Sequence, residues 1–138
     1  MKLIPPEEVL AQITQEQYQR WVRAKAQGHA RRDRRRDRPA TAAQYVGRIH
    51  DAVLASAGRC AYTDDPLLWK LVGTYNNEAS RSGRGIYKST FDRMPTVDHY
   101  EDGTFRLTSW LVNDAKGQMT ESDFLALCRK VCNHKERS

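Results

Sequence analysis

This 138-residue chain has little of what marks a secreted scaffold or a membrane span: three cysteines, five prolines and apolar runs of only a few residues. Cys60, Cys128 and Cys132 are odd in number and follow no framework spacing, which argues against a disulfide-built fold and fits a reducing compartment. Cys128 and Cys132 stand four apart, on one face of a helix, and as small apolar side chains they are expected in a core. No window approaches the roughly 20 apolar residues of a bilayer span. The start, Met1-Lys2-Leu3-Ile4-Pro5-Pro6-Glu7, lacks the apolar stretch of a signal peptide, so a cytoplasmic protein is the expectation. At 39% hydrophobic and 29% charged residues the chain is polar but globular. Its length suits one domain that buries roughly two-thirds of the surface its unfolded chain exposes.

What the sequence has in excess is arginine, and in one place. Between Arg20 and Arg38 lie nine basic residues and two acids, Asp33 and Asp37, a local excess of seven on a chain whose net charge is +6. The remainder is therefore one charge negative. A block of arginine on an otherwise neutral domain is the footprint of a phosphate-backbone partner, because each neutralised phosphate releases counterions. The plainer alternative is a solvated charge run. Arginine, the bidentate phosphate binder, favours the first, and Arg31, Arg32, Arg34, Arg35, Arg36 and Arg38 are the candidate contacts to DNA.

Helix signals dominate the first half. Pro5-Pro6-Glu7-Glu8 resembles a helix start with acids where the macrodipole favours them. Thr14-x-x-Gln17 is a capping box that opens a run with Tyr18, Trp21, Val22 and Lys25 on one side, expected to stop at Gly28. Beyond the Arg block and Pro39, Thr41 caps a second amphipathic helix with Tyr45, Val46, Ile49, Ala52 and Val53 inward, ended by Gly58. From Cys60 to Met94 the periodicity is poor: Asp64-Asp65-Pro66 reads as a turn, Leu67 to Val72 as an apolar segment around Trp69, and Asn76 to Arg93 as a polar helix or loop. After Pro95 the pattern sharpens into a short strand, Thr96 to Tyr100, a turn at Glu101-Asp102-Gly103, and a second strand, Phe105 to Val112. Asn113-Asp114-Ala115-Lys116-Gly117 then holds helix-start and stop residues. Thr120-Glu121-Ser122-Asp123 caps a last helix with Phe124, Leu127, Cys128 and Val131 as its stripe.

Strand, Asp98-His99, turn, strand, then Asn113-x-x-Lys116-Gly117 is an order that resembles the HNH nucleases, the ββα-metal family. The resemblance covers Pro95 to His134, extends loosely back to Cys60-Ala61-Tyr62-Thr63, and is shared with small bacterial and phage-borne HNH-like proteins. It implies an α+β fold, mostly helical, with a C-terminal ββα-metal hairpin-helix unit. The chain then divides into residues 1–58, N-terminal helices with the Arg-rich basic segment, and 59–138, the HNH-like unit, in one compact domain. It also implies a metal-dependent endonuclease acting on DNA, with His99 as general base and Asp98 and Asn113 holding Mg²⁺ or Mn²⁺.

The chemistry asks for these residue types. A neutral imidazole suits removal of a proton from the attacking water. A hard divalent cation with a few oxygen ligands suits the leaving 3′ oxygen, and Asp98 and Asn113 offer a carboxylate and an amide oxygen. Neighbouring strand residues point to opposite faces, so Asp98 and His99 serve one site only where the strand ends or bends. Two positions depart from the family. Thr104 falls where an Asn usually helps to orient the histidine, leaving Thr104, a backbone carbonyl or another group for that task. The family's zinc knuckles would need cysteines at Thr63, Ser109 and Val112, so no structural zinc is expected, and Trp110 and Leu111 are expected to supply apolar packing instead. Lys116 is expected to bind phosphate or to pack its stem across the turn. His29, His50 and His134 read as ordinary or solvent-facing, and Tyr18, Trp21 and Trp69 as core rather than base-stacking platforms. The competing reading is a non-catalytic HNH-like factor, accessory or inhibitory, that uses the basic block to dock on nucleic acid or an acidic protein surface. Nothing in the residues separates DNA from RNA.

Overall fold

The fold is α+β, and the computed structural model describes residues 2–38, 40–74, 92–100 and 103–137. In chain order the described elements are α1 (Glu7–Leu10), α2 (Gln15–Arg35), α3 (Ala42–Ser56), α4 (Lys70–Thr74), β1 (Pro95–His99), β2 (Phe105–Ser109), α5 (Trp110–Lys116) and α6 (Glu121–Arg137). The segment expected as a polar helix or loop from Asn76 onward lies outside the described residues up to Phe91, as do Glu101 and Asp102 of the turn.

Both long N-terminal helices start where their caps direct. The Thr14 hydroxyl accepts from the Gln17 N–H, and the Gln17 side chain accepts from the Thr14 N–H. Thr41 and Gln44 repeat this reciprocal pair at α3. The expected stop at Gly28 is overturned: α2 runs seven residues further, to Arg35, so most of the arginine block is helical. The reason is the inward stripe. Tyr18, Val22, Ala26 and Ala30 recur at four-residue spacing across Gly28, all fully buried, and the burial of that stripe outweighs the low helix propensity of one glycine. A Cβ added at Gly28 would meet nothing within 4 Å. Gly28→Ala is therefore expected to stabilise the protein by about 0.5–1 kcal/mol in urea unfolding; an unchanged or lowered midpoint would contradict a continuous α2.

α3 ends as expected near Gly58, with Ala57 left-handed at φ 52° and Gly58 at φ 76°. α2 packs along α3, and α3 lies on β2. β1 and β2 form an antiparallel hairpin in which Val97 faces Leu107, Asp98 faces Arg106 and His99 faces Phe105. β2 stops at Ser109 rather than Val112, because the Ser109 hydroxyl accepts from the Val112 N–H and starts α5 three residues before the expected point. One buried cluster draws on both halves of the chain, from Leu3 and Val9 through Tyr18, Val22, Ile49 and Val53 to Trp69, Val97 and Leu107. Tyr18, Trp21 and Trp69 pack together within it, the two tryptophan rings edge-on with centroids 4.8 Å apart at 70°, as befits core aromatics. Cys128 and Cys132 are exposed rather than core, because α6 buries none of its residues. Leu111, expected to pack, is 37% exposed, while Trp110 packs beside Leu71 and Met94.

Candidate functional site

The pleat of β1 sends Asp98 and His99 to opposite faces of the hairpin, although the strand does end at His99. The expected single site of Asp98, His99 and Asn113 is thus two neighbouring constellations, one on each face.

On the face toward α2 and α3, His99 lies in a socket of side chains from three elements. Its ring stacks on Phe105, centroids 4.3 Å apart and nearly parallel at 9°. Tyr45 and His29 close on it edge-on at 5.1 and 5.8 Å. Its Nδ1 is 3.4 Å from Oδ2 of Asp33, which is buried and also accepts a short hydrogen bond from the Tyr45 hydroxyl. Burial lowers the His99 pKa, with Asp33 acting in the opposite sense and Arg48 and Arg38 reinforcing the lowering. The net is a ring that is neutral near pH 7, the form that accepts a proton. Nε2 is buried and has no hydrogen-bond partner among the described residues.

Asp33 is the site residue that sequence reasoning missed. It is one of the two acids in the arginine block, and it continues the buried stripe Val22, Ala26, Ala30 down α2. An acid on the apolar stripe of a helix is the signal that could have found it, provided the helix is carried through Gly28. Asp33 is the group that flanks the His99 ring at Nδ1. His29, ordinary by its sequence context, belongs here too: it packs on Phe105 at 5.2 Å and hydrogen-bonds the Val97 backbone. Burial, then Arg32, His99 and Lys25, push its pKa down to about 4. His50 pairs with the Tyr18 hydroxyl at 2.6 Å, away from this socket.

The His29 shift has a pH consequence. In the unfolded chain the imidazole titrates near 6.5, and in the fold near 4. Between those values the unfolded state holds one more proton, so stability falls as pH drops, by about 1.4 kcal/mol per pH unit. Above the upper value both states are neutral and the dependence vanishes. Urea unfolding at pH 7, 6 and 5 checks this, and His29→Gln is expected to flatten the slope by one proton; equal slopes in parent and variant would remove His29 as the cause.

On the opposite face, the Asp98 carboxylate is held by Lys116, whose Nζ lies 3.1 Å from Oδ2 and 3.4 Å from Oδ1. Tyr62 donates to Oδ2 at 3.3 Å and accepts from Tyr100 at 2.7 Å. Burial, with the bond from Tyr100 second, raises the Tyr62 pKa, so its hydroxyl keeps its proton for Asp98. Lys116 is 6% exposed. Its ammonium, expected on nucleic-acid phosphate, is turned in this structure to the Asp98 carboxylate. Asn113 sits mid-helix in α5 rather than at its start, half-buried and one turn before Lys116 on the same side.

A divalent cation does not fit Asp98 as these side chains stand, because both carboxylate oxygens already face an ammonium. Among the described residues no group of three or more His, Cys, Asp or Glu side chains is placed to hold a metal. The four positions where the family places knuckle cysteines do come together in a chain of contacts. Thr63 bonds Cys60, the Ser109 N–H donates to Cys60 Sγ at 3.3 Å, and Ser109 caps Val112. Burial pushes the Cys60 thiol up, and the hydrogen bonds from Thr63, Ser109 and Tyr62 outweigh it, leaving the thiol below its usual range.

Arg31, Arg32, Arg34, Arg35, Arg36 and Arg38 are all exposed, around the end of α2 that delivers Asp33. Arg34 also donates to the Ala40 carbonyl at 3.1 Å, which ties the block to the start of α3. Among the described residues no helix is long and apolar enough to cross a membrane. No protein-family model matches the chain, and neither does any curated protein or solved structure.

Proposed function

We propose that the chain is an HNH-like, DNA-binding phosphodiesterase that holds the backbone with the arginines of α2 and uses His99 as general base. The observation that carries this reading is that one helix end supplies both parts. α2 exposes Arg31, Arg32, Arg34 and Arg35, and from its buried face directs Asp33 to His99 Nδ1. A carboxylate at one ring nitrogen favours the tautomer whose other nitrogen is the acceptor. That acceptor, Nε2, is a buried polar atom with no described partner, which is the kind of group a reacting water or substrate satisfies. His99 takes the proton of the attacking water, and the leaving 3′ oxygen takes its proton from solvent. Mg²⁺ or Mn²⁺ at Asp98 and Asn113 belongs to the resemblance, and no step here is routed through it.

The test is nicking or cutting of supercoiled plasmid by the purified protein, with Mg²⁺, with Mn²⁺ and with chelator. Loss of at least about a hundredfold in rate is expected for His99→Ala, the usual scale for a general base. Asp33→Asn is expected to fall in the same direction with DNA binding retained. If the parent cuts nothing under any of these conditions, or His99→Ala cuts equally well, the catalytic reading fails.

A second reading is favoured by the Lys116–Asp98 pair: a non-catalytic accessory or inhibitory factor that binds nucleic acid on the same scaffold. Its carboxylate is already neutralised from within the protein, so α2 alone carries function. It predicts salt-sensitive DNA binding that survives His99→Ala and Asn113→Ala, with no cutting by the parent.

A further inference from the structure

We propose that α6 is a self-association element, on which a second copy of this chain docks antiparallel to form a two-fold dimer. α6 is 17 residues long and buries none of them, although it carries an apolar stripe at helical spacing. Leu127 is 46% and Val131 54% exposed, and Cys128 lies exposed between them. The root of the helix is tied to the rest of the fold through Phe124, edge-on to Tyr62 at 5.7 Å, and through Glu121 near Arg106 at 3.8 Å. Past that root the stripe is presented outward.

Charge chooses the occupant and its direction. The first turn of α6 is acidic, with Glu121 and Asp123, and the later turns carry Arg129, Lys130, Lys135 and Arg137 against the single acid Glu136. Two parallel copies would set basic half against basic half. Two antiparallel copies set each acidic turn against a basic end and also align the helix macrodipoles head to tail. The stripe is symmetric about the same point: in that pairing Phe124 meets Val131 of the second copy and Leu127 meets its Cys128. Asp123 then lies near Lys130 of the second copy. This is an isologous contact, which closes at two and does not propagate into a fibre. An exposed apolar stripe with flanking charges that complement its own reverse is the chemistry of a helix that pairs with itself.

The experiment is sedimentation velocity and light scattering of the 138-residue chain over about two decades of concentration, since such an interface is governed by mass action. The weight-average mass is expected to rise toward twice the 15.9 kDa of one chain. Leu127→Glu/Val131→Glu is expected to stay at the single-chain mass with an unchanged far-ultraviolet circular dichroism spectrum. As a check independent of the stripe, Asp123→Lys and Lys130→Glu are each expected to be monomeric alone and to form a heterodimer when mixed. A parent that remains at 15.9 kDa throughout overturns the proposal. So does a dimer that survives Leu127→Glu/Val131→Glu, or charge-reversed variants that fail to pair on mixing. None of these outcomes depends on whether the protein cuts DNA.

Discussion

Replacing Lys116 by methionine is expected to lower the unfolding free energy by about 3–5 kcal/mol, the cost of leaving one member of a buried ion pair without its partner. Methionine keeps the length of the stem and removes only the charge and its hydrogen-bond donors. Asp98 is then left with the Tyr62 hydroxyl at 3.3 Å, on a face where both members of the pair are almost out of solvent. Asp98→Asn in the same background is expected to return most of the loss, because two neutral groups of similar shape can replace a buried pair at little cost. The coupling between the two sites, read from urea midpoints of the four variants, is the measurement. Mn²⁺ sharpens it. In the parent the ammonium holds the carboxylate, so millimolar Mn²⁺ is expected to leave the midpoint unchanged. In Lys116→Met the vacated carboxylate binds the ion, and the midpoint is expected to rise with its concentration by mass action. A parent stabilised by Mn²⁺ as strongly as the variant would show that the metal and Lys116 do not compete for Asp98.

The parts of this fold that could be read from the residues are those set by neighbours in the chain. Thr14 with Gln17, Thr41 with Gln44, and Gly103, at φ 85° between the two strands, each specify a local geometry, and each is found where its chemistry puts it. What could not be read depends on groups far apart in sequence. Gly28 is an ordinary stop signal, overridden because Ala26 and Ala30 are buried against the rest of the fold. The second strand reads on to Val112 in the residues, yet the Ser109 hydroxyl starts α5 at Trp110 and moves Asn113 from a helix start to a helix middle. The pairing of Lys116 with Asp98 spans 18 residues and that of Asp33 with His99 spans 66, and no local pattern announces either. The candidate residues His99, Asp98 and Asn113 could be picked out as chemistry-bearing, while their division between two faces followed from the pleat of β1 and from which helix covers each face. Asp33 was legible only as an irregularity, an acid inside an arginine block. The irregularity has a cause, because the buried side of α2 passes through that block and the arginines occupy what remains.

Changing Arg32, Arg34, Arg35 and Arg36 together to serine is expected to weaken DNA binding by about a thousandfold near 0.1 M salt and to make the log–log salt dependence shallower by about 3–4. The reasoning is counterion release: each backbone phosphate neutralised by a cation frees its condensed counterions, and four lost contacts remove four such terms. All four side chains are exposed, so the fold is expected to persist, with Arg34 giving up one bond to the Ala40 carbonyl. Binding titrations of a duplex at several salt concentrations supply both numbers at once. The slope is the more telling of the two, because a merely damaged protein loses affinity without a systematic change in its salt dependence. His99→Ala, which removes no cation, is expected to keep the parent's slope. If the serine variant binds with that slope as well, the arginines of α2 are a solvated surface and the backbone is held elsewhere. A shallower slope together with retained folding places the phosphates beside α2, within one helix end of Asp33, and so next to the only imidazole in the described structure that a buried carboxylate orients.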